Sequence, residues 1–353
     1  MTTSSTTTRR LPRTRSWSSA PMRPEGRFQA LKGLAVATAL VLPSVAAAGA
    51  VLEPKLSPSD NYGENFTFIG DLDGGTFIFV QLTVTNIGPG SRTGLCRTTV
   101  LTPGKKAWSA QTKVKARDWR YDAESSTLKM GPCSARSTDG ATRVEVPLDG
   151  GRVLLEYAAP MTPQGQEGTE VEVGKDRYHH EVTLAFSALK ATVKRPKGED
   201  VVYTGGGYAD HTRSTIAPAK LAKRWVRFRA LLGGEKLVLL AREGQDGEYG
   251  PVYAWEEGAK ARSLEHFTLA REGVKERSSW TVELFTDGSS AMVLRSTSLM
   301  QRSAPVEDLG AVLGGLVRSV VGSPVTYLHR AVLEREGKAP VTGLMEVTLE
   351  GDL

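Results

Sequence analysis

The chain has 353 residues, a length that suits two domains better than one, and its 40% hydrophobic content is enough for packed cores. The first 50 residues hold seven of the 45 basic and one of the 39 acidic residues, which leaves 38 of each in the remainder. Because the remainder of the chain has no net charge, we expect no general electrostatic attraction to nucleic acid and only transient contact with membranes.

The first 50 residues follow the order of a secretory signal peptide. Basic residues precede an apolar run at 33–42, and small residues follow it. This run is too short for a membrane-spanning helix, which needs about 20 apolar residues. We predict cleavage near Ala48 or Ala50 and export to the periplasm or the extracellular space. A retained membrane anchor is the alternative, and translation can begin at Met1 or Met22.

The sequence contains two cysteines, Cys96 and Cys133. A single pair in an exported protein usually oxidises, so we predict a disulfide, with two buried thiols as the alternative. No histidine lies near either cysteine in sequence. The adjacent His179 and His180 would diverge on a strand. We therefore predict no metal site.

Four turn signals predict antiparallel hairpins along the chain. They lie at 73–75, 149–151, 233–234 and 287–288, and their Asp-Gly and Gly-Gly pairs supply the positive φ angles of tight turns. Helical pattern is scarce. It is confined to Pro218–Leu221 and to an amphipathic segment at 305–321, which predicts one short C-terminal helix.

Many short strands with regular turns are typical of β-barrels and β-sandwiches. A charged stretch with proline and glycine at 194–200 separates two strand-rich halves. We therefore predict an all-β protein with a leader at 1–50, an N-terminal domain at 51–198 and a C-terminal domain at 199–353.

The segment 203–229 departs from ordinary strand sequence. Three glycines precede Tyr208, and a glycine run lets the backbone pass close to a neighbour or a ligand. Asp210 and His211 are adjacent there. Because successive side chains on a strand alternate between faces, only one of the two can face a given cavity. Each also has a structural interpretation, in which Asp210 caps a turn and His211 holds one.

This segment carries a resemblance to a known family. The run GYADHTRST at 207–215, followed by Pro218, by LAKRW at 221–225 and by Arg227-Phe228, resembles the Svf1-like family. That family belongs to the wider hydroxyneurosporene synthase (AttH-like) group of double lipocalin-like proteins. The resemblance implies two tandem lipocalin-like antiparallel β-barrel domains over residues 55–350. Members of the group include proteins of sphingolipid handling, carotenoid hydratases and cyclases, so the fold transfers more readily than the activity.

Two functions are compatible with these residues. The first is an exported carrier that binds an apolar lipid or isoprenoid-type ligand inside a barrel. The second is a cofactor-free hydratase, isomerase or cyclase that acts on a polyene or terpenoid, with Asp210 as proton donor and His211 beside it. The sequence contains no phosphate-binding glycine loop and no nucleophile elbow, so we predict no cofactor. The predicted ligand-binding residues are Tyr208, Asp210, His211, Arg213, Trp225 and Arg227.

Overall fold

The computed structural model describes residues 51–88, 90–164, 169–304 and 322–351. Of these residues 63% are in strands and 5% in helices, which confirms the all-β prediction. The predicted signal peptide and the predicted helix at 305–321 lie outside the described residues. Within the described ranges, no helix is both long enough and apolar enough to cross a membrane.

The first sheet contains twelve strands. They are β1 (Gly63–Leu72), β2 (Thr76–Thr85), β3 (Thr93–Leu101), β4 (Trp108–Val114), β5 (Trp119–Asp122), β6 (Thr127–Met130), β7 (Cys133–Ser137), β8 (Thr142–Leu148), β9 (Gly151–Tyr157), β10 (Glu170–Val173), β11 (Asp176–Lys194) and β12 (Asp200–Ser214). Eleven of them run in the order β4-β3-β2-β1-β12-β11-β9-β8-β7-β6-β5, and β10 pairs with β11. The late strand β12 is thus inserted between β1 and β11.

The second sheet contains nine strands. They are β13 (Arg224–Ala230), β14 (Leu237–Glu243), β15 (Tyr249–Glu256), β16 (Arg262–Ser263), β17 (His266–Glu272), β18 (Ser279–Thr286), β19 (Ser289–Ser303), β20 (Pro324–Arg335) and β21 (Val341–Glu350). Their order is β16-β15-β14-β13-β21-β20-β19-β18-β17. The predicted short helix α1 (Pro218–Leu221) lies in the connection between the sheets. Because β12 belongs to the first sheet, the change of sheet falls at 215–223, and the domain limits 51–198 and 199–353 stay a prediction.

All four predicted hairpins are present. They join β1 to β2, β8 to β9, β13 to β14 and β18 to β19. The turn residues Gly74, Gly150, Gly233 and Gly288 have φ angles of 68°, 73°, 86° and 69°, which glycine adopts without steric cost. The Asp-Gly and Gly-Gly signals therefore place these turns correctly.

Each sheet curls into a lipocalin-like barrel around its own apolar core. In β2, for example, Ile78, Val80 and Leu82 point into the first core, whereas the intervening residues point outward. The predicted disulfide between Cys96 and Cys133 is confirmed, and both cysteines are buried in this core. It joins β3 to β7, which are not neighbours in the sheet, so it crosses the interior of the barrel.

The two barrels pack through their outer faces. One apolar cluster at this interface includes Ile69 and Tyr208 from the first barrel and Leu231 and Leu344 from the second. The glycine run of β12 fits here, because a Cβ on Gly206 would lie 2.1 Å from the carbonyl oxygen of Leu231. The glycine at 206 therefore permits backbone-to-backbone contact between the barrels.

Candidate functional site

A cavity of about 470 Å³ lies between the outer faces of the two barrels. The first barrel contributes residues of β1, β2, β3, β11 and β12, and the second contributes residues of β13, β19, β20 and β21. The volume is within the range of about 300–1,000 Å³ typical of small-molecule sites. Its apolar lining includes Ile69, Phe77, Phe79, Trp225 and Leu328. The candidate site is therefore at the interface, and the sequence-based expectation of a ligand inside a barrel does not describe this cavity.

Strand alternation decides which residues of β12 reach the cavity. Asp210 and Thr212 line it. Ala209 and His211 point the other way, where Ala209 joins the first core and the His211 ring stacks on Phe66 at 4.5 Å between centroids. Asp210 and His211 are thus separated onto opposite faces, as the strand geometry requires.

The polar centre of the cavity is Asp210 with His180 and Arg229. Oδ2 of Asp210 lies 3.8 Å from Nε2 of His180 and 3.7 Å from Nη2 of Arg229, both longer than a direct hydrogen bond. The His180 side chain is only 1% exposed. Neither of its ring nitrogens has a hydrogen-bond partner among the described residues. His180 is thus a buried imidazole, next to a carboxylate, whose nitrogens remain available to a ligand.

Burial and neighbouring charges set the protonation states of this pair. Burial acts to raise the pKa of Asp210, but His180 and Arg229 outweigh burial and lower that pKa to about 2. Burial lowers the pKa of His180, although Asp210 acts in the opposite direction. At neutral pH the pair is therefore a carboxylate beside a neutral imidazole.

Tyr178 supplies a phenol on the same wall. It is two residues from His180 on β11, so both side chains face the cavity. Burial raises the pKa of Tyr178 to about 12, and its hydroxyl has no hydrogen-bond partner among the described residues. The wall therefore combines a neutral base, His180, with a protonated acid, Tyr178.

The opposite wall contains a cluster of oppositely charged side chains. Oε1 of Glu346 accepts a hydrogen bond from Nη1 of Arg227 at 2.7 Å, and its Oε2 lies 4.0 Å from Nη1 of Arg229. The Arg227 guanidinium stacks over the Trp225 ring at 4.7 Å, and that of Arg229 stacks over Tyr208 at 4.7 Å. Burial acts to lower the pKa of Arg227, but Glu346 raises it above its usual range. Both guanidinium groups are therefore held in place by carboxylates and aromatic rings.

Only some of the six residues that were predicted to bind ligand line the cavity. Asp210, Trp225 and Arg227 line the cavity. Tyr208 lies under Arg229 at the interface. Arg213 is on the same face of β12 as His211, opposite Glu64 of β1. The roles predicted for these residues stay predictions, but three of them meet in one cavity.

His211 belongs to a buried network inside the first barrel. Its Nε2 lies 2.6 Å from Oε1 of Glu64, which is fully buried. Glu64 also accepts hydrogen bonds from the hydroxyl of Tyr62 and from the backbone N–H of Lys55. Burial acts to raise the pKa of Glu64, but His211 outweighs burial, so that this pKa is lowered. This network joins β12 to β1 and matches the interpretation of His211 as a residue that holds the local structure.

Several cavity residues were not predicted from the sequence. His180 was considered only as part of an adjacent histidine pair, and Arg229 was not among the predicted ligand-binding residues. The described residues contain no group of three or more metal-ligating side chains, so no metal site is found there. Glu346 is 136 positions from Asp210, and no local pattern indicates it. The alternation Tyr178, His180, Val182 was the one available signal, since it places the first two on one face.

Comparisons with known proteins support the fold. No protein-family model matches the chain, and no curated protein sequence is similar to it. Several solved structures are similar, including the following three. A protein of Nitrosomonas europaea assigned as AttH has 16% identity over 82% of this chain and 92% of its own, with a TM-score of 0.57. Kievitone hydratase from Nectria haematococca has 12% identity over 86% and 91%, with a TM-score of 0.55.

The third similar structure is CghA with Sch210972, at 11% identity over 85% of this chain and 94% of its own, with a TM-score of 0.52. At these identities the likeness shows the fold alone. The AttH-like part of the resemblance is thus supported at the level of the fold, and membership of the Svf1-like family stays a prediction.

Proposed function

We propose that this chain is an enzyme that hydrates, isomerises or cyclises a small amphipathic molecule by proton transfer, without a bound cofactor. The observation that carries the proposal is the buried His180, which has no hydrogen-bond partner among the described residues and lies 3.8 Å from Asp210 in a cavity of ligand size. A buried imidazole without partners costs free energy unless a bound molecule uses it.

Each of the three residues has a role that follows from its protonation state. His180 is the general base, because it is neutral and its two nitrogens are available. Asp210 stabilises the imidazolium that forms when His180 takes a proton, because its carboxylate charge lies 3.8 Å from Nε2 of His180. Tyr178, whose raised pKa keeps the phenol protonated, returns a proton to the substrate. After product release the imidazolium loses its proton to water and the phenolate regains one from water, which restores both residues. Asp210 is ionised at neutral pH, so in this proposal it does not donate the proton.

The carrier hypothesis receives less support. Five charged side chains line the cavity, which is a poor environment for a purely apolar lipid. Among the similar structures, one is a hydratase by name and another contains the ligand Sch210972. These features favour chemistry on an amphipathic substrate over storage of an apolar one.

Export is part of the proposal. The buried disulfide Cys96–Cys133 fits an oxidising compartment, and the apolar run at 33–42 fits a signal peptide. We place the active protein in the periplasm or outside the cell.

The test is incubation of the pure protein in D₂O with an organic extract of its native cells, followed by liquid chromatography and mass spectrometry. An enzyme of this class produces isomers or hydrates that retain deuterium on carbon. His180→Gln and Asp210→Asn should each slow this conversion by about 10²–10⁴-fold, the usual contribution of acid-base catalysis. The melting temperature of His180→Gln should match that of the wild type. Asp210→Asn removes the carboxylate beside the buried Arg229, so it should melt at a lower temperature and is assayed where circular dichroism shows it folded.

His179→Gln is the matched control. His179 is the adjacent residue and points to the other face of β11, where its partly exposed ring lies 3.3 Å from the Glu170 carboxylate. It should convert the extract at the wild-type rate. Equal rates for His179→Gln and His180→Gln would contradict the proposal. A compound that co-purifies with the protein and is never altered would contradict it too, and would support the carrier hypothesis.

A further inference from the structure

The charges that line the cavity do not balance. Three arginines and two carboxylates line it. Arg227 pairs with Glu346, and Arg229 lies between Asp210 and Glu346. The third arginine, Arg97, forms no ion pair and no hydrogen bond within the described part of the chain. With His180 neutral, the cavity holds one positive charge in excess, and that charge is on Arg97.

The guanidinium of Arg97 is positioned although it has no anionic partner. Arg97 is on the outer face of β3, and its guanidinium carbon lies 4.9 Å from the centroid of the Phe79 ring. Such a contact holds the flat group by one face and leaves its N–H donors free at the edge. Its neighbour on β2 is Gln81, which also lines the cavity. The arrangement resembles a prepared site for a planar anion.

The guanidinium of Arg97 is accessible to a ligand. Arg97 is an exposed residue of β3, so water solvates its charge in the free protein. A guanidinium forms its strongest hydrogen bonds, two in parallel, with a carboxylate or a phosphate. Because the described residues supply no such partner, the N–H donors of Arg97 are open to an anionic ligand that enters the cavity.

We infer that the substrate of this cavity is an amphipathic carboxylic acid whose carboxylate binds Arg97 and whose apolar part lies against Ile69, Phe77 and Leu328. This inference rests on the proposed function and specifies its substrate class. A carboxylate forms two parallel hydrogen bonds with a guanidinium, a geometry that Arg provides and Lys does not. The apolar side chains accept the rest of the molecule.

The test compares a fluorescent polyene acid, cis-parinaric acid, with its methyl ester, which has the same chain and no charge. Titrations are made with the wild type, Arg97→Gln, Arg97→Lys and a control, Arg120→Gln, which replaces an exposed arginine of β5. The wild type should bind the acid at least tenfold more tightly than the ester, as expected for a charge-assisted hydrogen bond. Arg97→Gln should remove this preference by weakening only the acid, and Arg97→Lys should recover part of it.

A second measurement separates binding from folding. Because Arg97 has no partner in the free protein, Arg97→Gln should melt at the same temperature as the wild type or higher. The inference is overturned if the wild type does not prefer the acid, including the case that it binds neither probe, or if Arg97→Gln weakens acid and ester equally. If the preference for the acid depends on Arg97 but the extract is unaltered in the D₂O assay, the protein binds a carboxylic acid and the proposed enzymatic function is wrong. If deuterium is incorporated but the acid is not preferred, the protein is an enzyme and the inference about its substrate class is wrong.

Discussion

The contact between Gly206 and Leu231 makes the barrel interface testable with one methyl group. In Gly206→Ala the new Cβ would lie 2.1 Å from the Leu231 carbonyl oxygen and 2.7 Å from its carbonyl carbon. Carbon and oxygen atoms normally approach to about 3.3 Å, so the barrels must separate by about 1 Å. Since the contacted atoms are backbone, no rotamer change relieves the overlap. Overpacking of this kind costs about 1–3 kcal/mol.

The assay is thermal unfolding followed by circular dichroism. A cost of about 2 kcal/mol should lower Tm by about 4–8 °C, from about 2–4 °C for each kcal/mol in a chain of this size class. Gly140→Ala is the control, because a Cβ there meets no atom within 4 Å and the residue has an ordinary φ. The separation should also weaken binding of cis-parinaric acid between the barrels. Equal Tm values for the two variants would refute the reasoning, since the interface would then tolerate the methyl group.

Two further predictions concern buried groups outside the cavity. Glu64→Gln and His211→Gln should each lose about 1–3 kcal/mol in urea unfolding, because each breaks the buried hydrogen bond between the two side chains and leaves its partner unsatisfied. The affinity of the folded protein for cis-parinaric acid should stay at the wild-type value; a weakened affinity would instead make His211 a ligand-binding residue. Burial lowers the pKa of His329 in the folded protein to about 4, whereas the pKa of histidine in an unfolded chain is about 6.5. Between these two pH values the unfolded chain therefore binds more protons than the folded protein. The free energy of unfolding should fall by about 3 kcal/mol for this residue as the pH drops from about 6.5 to about 4. In urea unfolding across this pH range, the free energy of unfolding of His329→Phe should fall by about 3 kcal/mol less than that of the wild type. The same pH dependence in both proteins would show that His329 is already protonated in the folded state.

Local sequence signals were enough to predict an all-β chain of antiparallel hairpins, whereas the tandem lipocalin-like barrels were implied by the resemblance to the AttH-like group. The Asp-Gly and Gly-Gly turns indicated the hairpins because positive φ angles restrict the residue types at those positions. The glycine run before Tyr208 predicted a close approach, and the backbone of Leu231 is the group approached. Alternation predicted that Asp210 and His211 would diverge. Each of these inferences depends on residues within a few positions of one another.

The candidate site depends on long-range pairing, which local patterns do not encode. His180 reaches Asp210 because β11 pairs with β12, with His180 opposite Thr212. Glu346 reaches Arg229 because β21 pairs with β13. The cavity also requires the outer faces of two barrels to meet, and a strand pattern shows only that a face is polar, not what covers it. The sequence therefore identified one residue of the central pair and missed its partner.

The alternation of inward and outward residues along the same strands separates two sets of positions for protein engineering. On β13, Val226 and Phe228 fill a core, whereas Arg227 between them faces the cavity. A library that varies only outward positions of β2, β3, β13 and β21 would change the ligand contacts while both cores keep their side chains. The barrels can then serve as a constant scaffold for new small-molecule specificities, with a binding surface that is interleaved with the core in sequence and separate from it in space.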